Sequence, residues 1–464
     1  MNPTEEIVSY VASTRYEDLP GEVVEAAKRL FMNTLAAMLA GSGAPGVSEV
    51  SKLVRQWGGR EEATAVLQDF KTPAHEAVMI NATMARALDF DEFNVQTGIH
   101  AGATLIPVAL ATAEFTGNAN GKEIIAAIAV CSELMSRMRV VPDRCIGISG
   151  WTGEIFGAFG AAAATGRLMH LSEGEMLNSF GLALCQSSGT AQGIYDGAMA
   201  TRLQQGFSAR AGVVAARMAA EGITGARNFL DGKAGFYPVY YRGLDYDLQR
   251  LVDGLGEDYR FLSIATKSYP CCGFIQAPAE NLIGLMRKHN LSGEDIERVE
   301  IRVNEQMYNT VCAPVEVKYK PENEADAMFA LPYVLGTAMV SGDVLLSDFT
   351  LEFMRDPKRL SAADKVQVIL DQEMDAEAKR LNLALSLHAL EVHTTDGRVL
   401  TEKLYHAKGF PQNPMTLEDC AEKARKCAPF ALKNFPDQKV QALKNCIEGI
   451  EDLARITDIT GILA

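Results

Sequence analysis

The hydrophobic pattern of this chain changes period twice, and those changes constrain its fold more than any other feature. Up to about residue 265, apolar residues recur at helical spacing. In GEVVEAAKRLFMNTLAAMLAG, for instance, Val24, Ala27, Phe31, Leu35 and Met38 share one stripe, with Pro20 before it and Gly41 as its stop. Around residue 266 the character shifts. ERVEIRVN, residues 297–304, alternates apolar and charged positions as a half-buried strand does, and LEVHTTDGRVLTEKL folds about Asp396-Gly397 as a β-hairpin. Helical spacing returns at 326–340 and 361–370, and again from Thr416 to the end. The fold expected is mainly α with a smaller α+β domain. A large helical domain, 1–265 continued by 408–464, is interrupted by an α+β insert, 266–407. A chain of 464 residues is long for one core, which also favours two domains. The cleft between two such domains is the default place for a substrate.

A net charge of -15 argues against nucleic acid or an anionic membrane as partner, while leaving room for an anionic small molecule in a local basic pocket. With 48% hydrophobic and 22% charged residues and a mean hydropathy near zero, the expectation is a soluble, cytoplasmic-type protein. The start, MNPTEEIVSYVAS, is acidic and amphipathic and does not read as a leader. Nine dispersed cysteines without a CxxC pair read as reduced thiols rather than a zinc site.

Chemistry concentrates in residues 86–114, RALDFDEFNVQTGIHAGATLIPVALATAE. Asp89, Asp91 and Glu92 crowd the end of one helical pattern, and a polar turn then leads to His100 and an apolar helix. Acids beside a neutral imidazole suit proton transfer, and the same acids equally suit a helix cap. No Walker loop, HExxH or GxSxG is present, and GAFGAAAATG lacks the preceding strand of a dinucleotide fingerprint, so its small residues read as tight helix packing. No two of the seven histidines have the spacing of a helical metal pair. A second candidate is TKSYPCCGF: Lys267 can hold a carboxylate, Tyr269 can donate a proton, and Cys272 follows Cys271 too closely for an unstrained disulfide between them. A third is Arg202, whose planar guanidinium suits a carboxylate.

ALDFDE, the run His100-Ala-Gly-Ala, GAFGAAAATGRL, TRLQQGFSARAG, SYPCCGF and NEADAMFALPYVLGTAMVSGDV occur in one order along nearly the whole chain. Together they resemble the MmgE/PrpD family, which contains 2-methylcitrate dehydratase, cis-aconitate decarboxylase and iminodisuccinate epimerase. The resemblance implies a homodimer with a large helical domain, an α+β lid, no metal and no organic cofactor. It places the family's loop aspartate at Asp89 and its loop histidine at His100, with Asp91 beside them as a candidate substrate contact. Elsewhere the family pattern is altered. Phe93 replaces a threonine, Trp151 a second histidine, Thr201-Arg202-Leu203-Gln204 a KRLH-type motif and Gln276 another histidine; Tyr319 matches the lid tyrosine only loosely.

The expectation is therefore a cofactor-independent lyase that abstracts a proton next to a carboxylate or carbonyl of a small organic acid. His100 acts as base or acid, Asp89 orients it, Tyr269 is a second proton carrier, and Arg202 and Lys267 clamp carboxylate. Trp151, Gln204, Cys272, Asp91 and Tyr319 line the substrate. The lost basic positions point to a substrate less charged than a tricarboxylate. An isomerase or epimerase on the same scaffold is the alternative, followed by a non-catalytic member that binds a metabolite.

Overall fold

The computed structural model describes residues 2–142, 150–381, 383 and 387–464. Two compact units emerge: Met1–Ala265 with Met415–Ala464, and Thr266–Pro414. The chain re-enters the first unit at Met415, later than residue 408, because 408–409 are tied to the start of the second unit. There the Thr266 amide donates to the Gly409 carbonyl at 2.9 Å, and the Ser268 hydroxyl donates to the Lys408 carbonyl at 2.8 Å.

The first unit is built from long helices, among them Gly21–Gly41, Ala74–Arg86, Ala101–Thr116, Gly121–Val140, Gly157–Leu168 and Ala200–Ala220. Small residues let these helices approach backbone to backbone. A Cβ added to Gly212 would lie 2.4 Å from the Ala158 carbonyl oxygen, and one on Gly206 would lie 2.5 Å from that of Met79. Helix Ala200–Ala220 therefore packs directly on Gly157–Leu168 and on Ala74–Arg86. The Ala-rich stretch serves as core, with Ala158, Phe159, Ala161, Ala162 and Ala163 fully buried. Ser172 and Glu175 close a capping box at the start of Glu173–Leu184.

The second unit carries a four-stranded sheet in the order Val366–Leu370, Ile296–Val303, His388–Thr394, Val399–Thr401. The last two strands form the antiparallel hairpin expected around Asp396-Gly397. Residues 361–370 depart from the helical expectation: the helix Pro357–Ala363 stops, and Val366–Leu370 pairs parallel with Ile296–Val303. In VQVIL the apolar residues also alternate, and a central strand offering free edge amides decides for the sheet. The 326–340 segment is likewise two pieces, Glu324–Met328 and Leu331–Ser341, with Pro332 in the first turn of the second. Among the described residues no helix is long and apolar enough to cross a membrane.

Candidate active site

The acidic loop starts where helix Ala74–Arg86 ends. Asp89 takes a left-handed conformation, φ 48°, which turns the chain so that neighbouring acids face different partners. Glu92–Asn94 is extended, and Asn94 then closes a tight turn. Its side-chain oxygen accepts from the amides of Gln96 and Thr97 at 3.0 and 3.1 Å, and its own amide donates to the Ile99 carbonyl at 2.9 Å. That turn delivers His100 to the N-cap of Ala101–Thr116.

There the His100 Nδ1 lies 2.8 Å from Asp91 Oδ2. Asp91 is fully buried, while the imidazole keeps 15% exposure. The Arg86 guanidinium hydrogen-bonds Asp89 and lies 3.4 Å from Asp91 Oδ1, complementing the negative charge of both acids. Burial works against the Arg86 charge, but Asp91, Asp89 and Glu154 outweigh it, so the guanidinium pKa is raised. With an anionic acceptor on Nδ1, the neutral imidazole carries its proton there and leaves the Nε2 lone pair free to act as base. Asp91 is thus the residue that orients His100. Asp89, expected in that role, takes a left-handed turn and hydrogen-bonds Arg86.

Glu92 plays a different part. Its Oε1 accepts the Gly102 amide at 2.5 Å and so caps the helix that follows His100. Burial, and then the Asp91 charge, push its carboxyl above the usual carboxylate range. The capping reading of the loop is therefore realised at Glu92, while the neighbouring Asp91 pairs with the imidazole.

Two residues from distant stretches hold the loop backbone. Gln205 donates to the His100 carbonyl at 3.3 Å and also to the Thr104 hydroxyl. Lys423, buried in the C-terminal return, donates to the Phe90 carbonyl at 2.6 Å and to Asn33 Oδ1 at 2.8 Å, with its ammonium 3.8 Å from the centre of the Phe90 ring.

Trp151 and Gln204 meet in a neighbouring cluster. Trp151 bridges to Thr190 and packs on Tyr240 with ring centroids 4.8 Å apart. Gln204 accepts from the Thr152 hydroxyl at 3.3 Å and donates to the Thr190 carbonyl at 3.0 Å, so its amide ties two loops together. Gly153 on that loop faces the Gly98 carbonyl and Ile99, next to His100. Arg202, expected as a carboxylate clamp, donates to the Pro45 carbonyl at 2.9 Å and thereby anchors a turn.

Lys267, Tyr269, Cys272 and Tyr319 belong to the second unit. Lys267, Tyr269 and Cys272 are buried. Burial, aided by Glu280 and Asp343, pushes the Tyr269 phenol up, so it holds its proton. Gln276, at a position where the resemblance implies histidine, accepts from the amides of Ser268 and Tyr269, both at 3.0 Å. It donates to the carbonyls of Tyr269 at 2.9 Å and Cys271 at 3.0 Å. The Tyr319 hydroxyl donates to the Val366 carbonyl at 2.6 Å and so braces the sheet.

Residues 5–249 match the MmgE/PrpD N-terminal domain and residues 269–449 the MmgE/PrpD C-terminal domain. The chain belongs to the MmgE/PrpD family. Among its relatives, a cis-aconitate decarboxylase-like protein of Aspergillus oryzae is 23% identical, aligning 100% of this chain with 97% of the relative. The cis-aconitate decarboxylase of Aspergillus terreus is 25% identical over 99% of this chain and 95% of its own. The Homo sapiens enzyme of that name is 22% identical over 99% and 94%.

Within this MmgE/PrpD chain, sequence reasoning passed over Arg86, Glu154, Gln205 and Lys423. Arg86 was open to discovery, since it stands three residues before Asp89 and five before Asp91. Lys423 was not, being 333 residues from the carbonyl it holds. A cavity of about 590 Å³ elsewhere in the first unit is lined by Arg60, Glu62, His75, Arg210 and Arg217, among others, and by none of the candidate residues. Two of its arginines are already paired, Arg217 with Glu62 at 2.8 Å and Arg210 with Glu76 at 2.7 Å.

Proposed function

We propose that this MmgE/PrpD member is a lyase acting on a small organic acid, with His100 exchanging a proton with a carbon next to a carboxylate or carbonyl. The observation that carries the reading is the His100–Asp91 pair at 2.8 Å, backed by Arg86. In the abstraction direction, Nε2 takes the proton, Asp91 stabilises the imidazolium, and the electron pair left on carbon expels the leaving group on the neighbouring carbon. In the decarboxylation direction, the C–C bond to the carboxylate breaks, carbon dioxide leaves, and the freed pair collects a proton from Nε2–H. The names of the relatives favour this second direction. The chemistry uses only groups of the chain itself. Among the described residues Arg202 donates to the Pro45 carbonyl, and the neutral Gln204 stands where the resemblance implies a histidine, so the reading favours a mono- or dicarboxylate.

The test is a panel of mono-, di- and tricarboxylic acids incubated with the protein in deuterated water and followed by NMR and mass spectrometry. A decarboxylating lyase gives a product of altered mass carrying solvent deuterium, and an eliminating lyase gives a product lighter by the leaving group and the abstracted proton. Deuterium entry at an otherwise unchanged acid makes the protein an isomerase or epimerase instead, and neither deuterium entry nor a product of altered mass across the panel overturns the proton-transfer reading.

A further inference from the structure

Lys423 lies on the core-facing side of its helix. Leu417–Cys427 turns Cys420, Ala421, Ala424 and Cys427 inward, and Lys423 goes with them at 4% exposure. A buried ammonium gives up its hydration, so a lysine is kept in such a place only where polar groups receive it. Here the Phe90 carbonyl accepts at 2.6 Å and Asn33 Oδ1 at 2.8 Å. Another lysine ties the C-terminal return to the helix that carries Asn33. Lys28, on Gly21–Gly41, donates to the Glu448 carbonyl at 3.0 Å and lies 2.6 Å from the Glu451 carboxylate. What Lys423 adds is its grip on the acidic loop.

The carbonyl it holds belongs to the single residue between Asp89 and Asp91. A peptide group is planar, so the Phe90 carbonyl, the Asp91 amide and the Asp91 Cα share one plane. A donor that fixes the direction of this carbonyl fixes the plane from which the Asp91 side chain departs. The other member of the pair is held in the same manner, since Gln205 donates to the His100 carbonyl at 3.3 Å. The 2.8 Å contact between Asp91 Oδ2 and His100 Nδ1 is thus spanned between two backbone groups, each anchored from a distant stretch of the first unit.

We propose that Lys423 is a positioning residue of the His100–Asp91 pair, holding the Asp91 carboxylate on Nδ1 by fixing the Phe90–Asp91 peptide plane. Without it the plane turns, the carboxylate leaves Nδ1, and the neutral imidazole moves its proton to Nε2, the nitrogen assigned as base. The role rests on the acid-lyase reading only for its effect on turnover.

The test is nitrogen NMR of the full chain labelled with ¹⁵N in its seven histidines, in mildly alkaline buffer, with the His100 signals identified as those missing from His100→Gln. The parent should carry the His100 proton on Nδ1. Lys423→Met should lose that signal in favour of the Nε2–H form, and Lys423→Arg, which keeps a donor, should retain it. Lys423→Gln, polar but one bond shorter, should show the same change at smaller amplitude and serves if the methionine variant does not fold. Lys28→Met removes a buried lysine away from the loop and should leave the tautomer as in the parent. For any acid the parent converts, Lys423→Met should lower kcat about 10- to 100-fold with KM within about threefold. An unchanged tautomer in Lys423→Met and Lys423→Gln overturns the positioning role, and so does an equal change in Lys28→Met. A tautomer change without any turnover by the parent supports the positioning role while the lyase reading fails.

Discussion

The loop from Arg86 to His100 and the loop from Lys267 to Gln276 both carry dense polar sequence, yet they use it in opposite ways. In the first, charged side chains address one another: Arg86 faces Asp89 and Asp91, and Asp91 faces His100. In the second, the neutral amide of Gln276 spends its hydrogen bonds on backbone groups of Ser268, Tyr269 and Cys271. A network of ionisable groups can pass a proton, because each member has two protonation states that its neighbours feel. An amide clamp has one state and fixes a shape. The difference is consistent with the proton transfer proposed for the first loop and gives the second a fixed backbone around Tyr269 and Cys271.

Four sets of substitutions break or sharpen this contrast. The largest effect is expected for His100→Ala, about 10⁴-fold in deuterium exchange or turnover with an unchanged melting curve. Undiminished exchange in that variant removes the proton-transfer role. Asp91→Asn comes next, at about 10²-fold, because an amide can donate to Nδ1 and strand the imidazole in the wrong tautomer. Asp89→Asn keeps an acceptor for Arg86 and should cost only a few-fold; equal losses at 89 and 91 would show the two acids acting as one unit. In the other loop, Gln276→Leu should lower stability by about 3 kcal/mol, read by denaturant melts, since it leaves buried backbone groups unmatched.

The smallest effect is that of Glu92→Gln, and it depends on pH. The folded state holds the Glu92 proton more tightly than the unfolded chain, whose carboxyl titrates near 4.5. As pH rises past that value the unfolded chain ionises first, so the parent loses stability relative to an uncharged variant. Glu92→Gln keeps an acceptor for the Gly102 amide, and its Tm should gain on the parent's from acidic towards neutral pH. A gap independent of pH would mean that Glu92 is ionised in the fold.

Much of this architecture could be read from spacing. Helical stripes, the switch to alternation near residue 297 and the Asp396-Gly397 turn each follow from local periodicity, and the in-order motifs pointed to Asp89 and His100. Two kinds of information stayed out of reach. One was geometric: Asp89 is left-handed and Asp91 is the acid beside the imidazole, and the order Asp-Phe-Asp-Glu does not encode that rotation. The other was long-range. Val366–Leu370 becomes a strand because Ile296–Val303 lies beside it, and Arg202 is drawn to Pro45 across 157 residues. Such partners override local propensity and leave no local mark.

Lys423 carries a consequence for how the protein matures. Every side chain of the His100 network lies before residue 155, yet the carbonyl between Asp89 and Asp91 is held by a lysine from the helix Leu417–Cys427. During vectorial synthesis the whole second unit must emerge before that lysine does. The nascent first unit can therefore bury its helices early, while its acidic loop waits for the helix Leu417–Cys427 to fasten it. A nascent chain that has not yet released this helix holds all the reactive groups without that tether, so emergence of Leu417–Cys427 is the event that sets the loop.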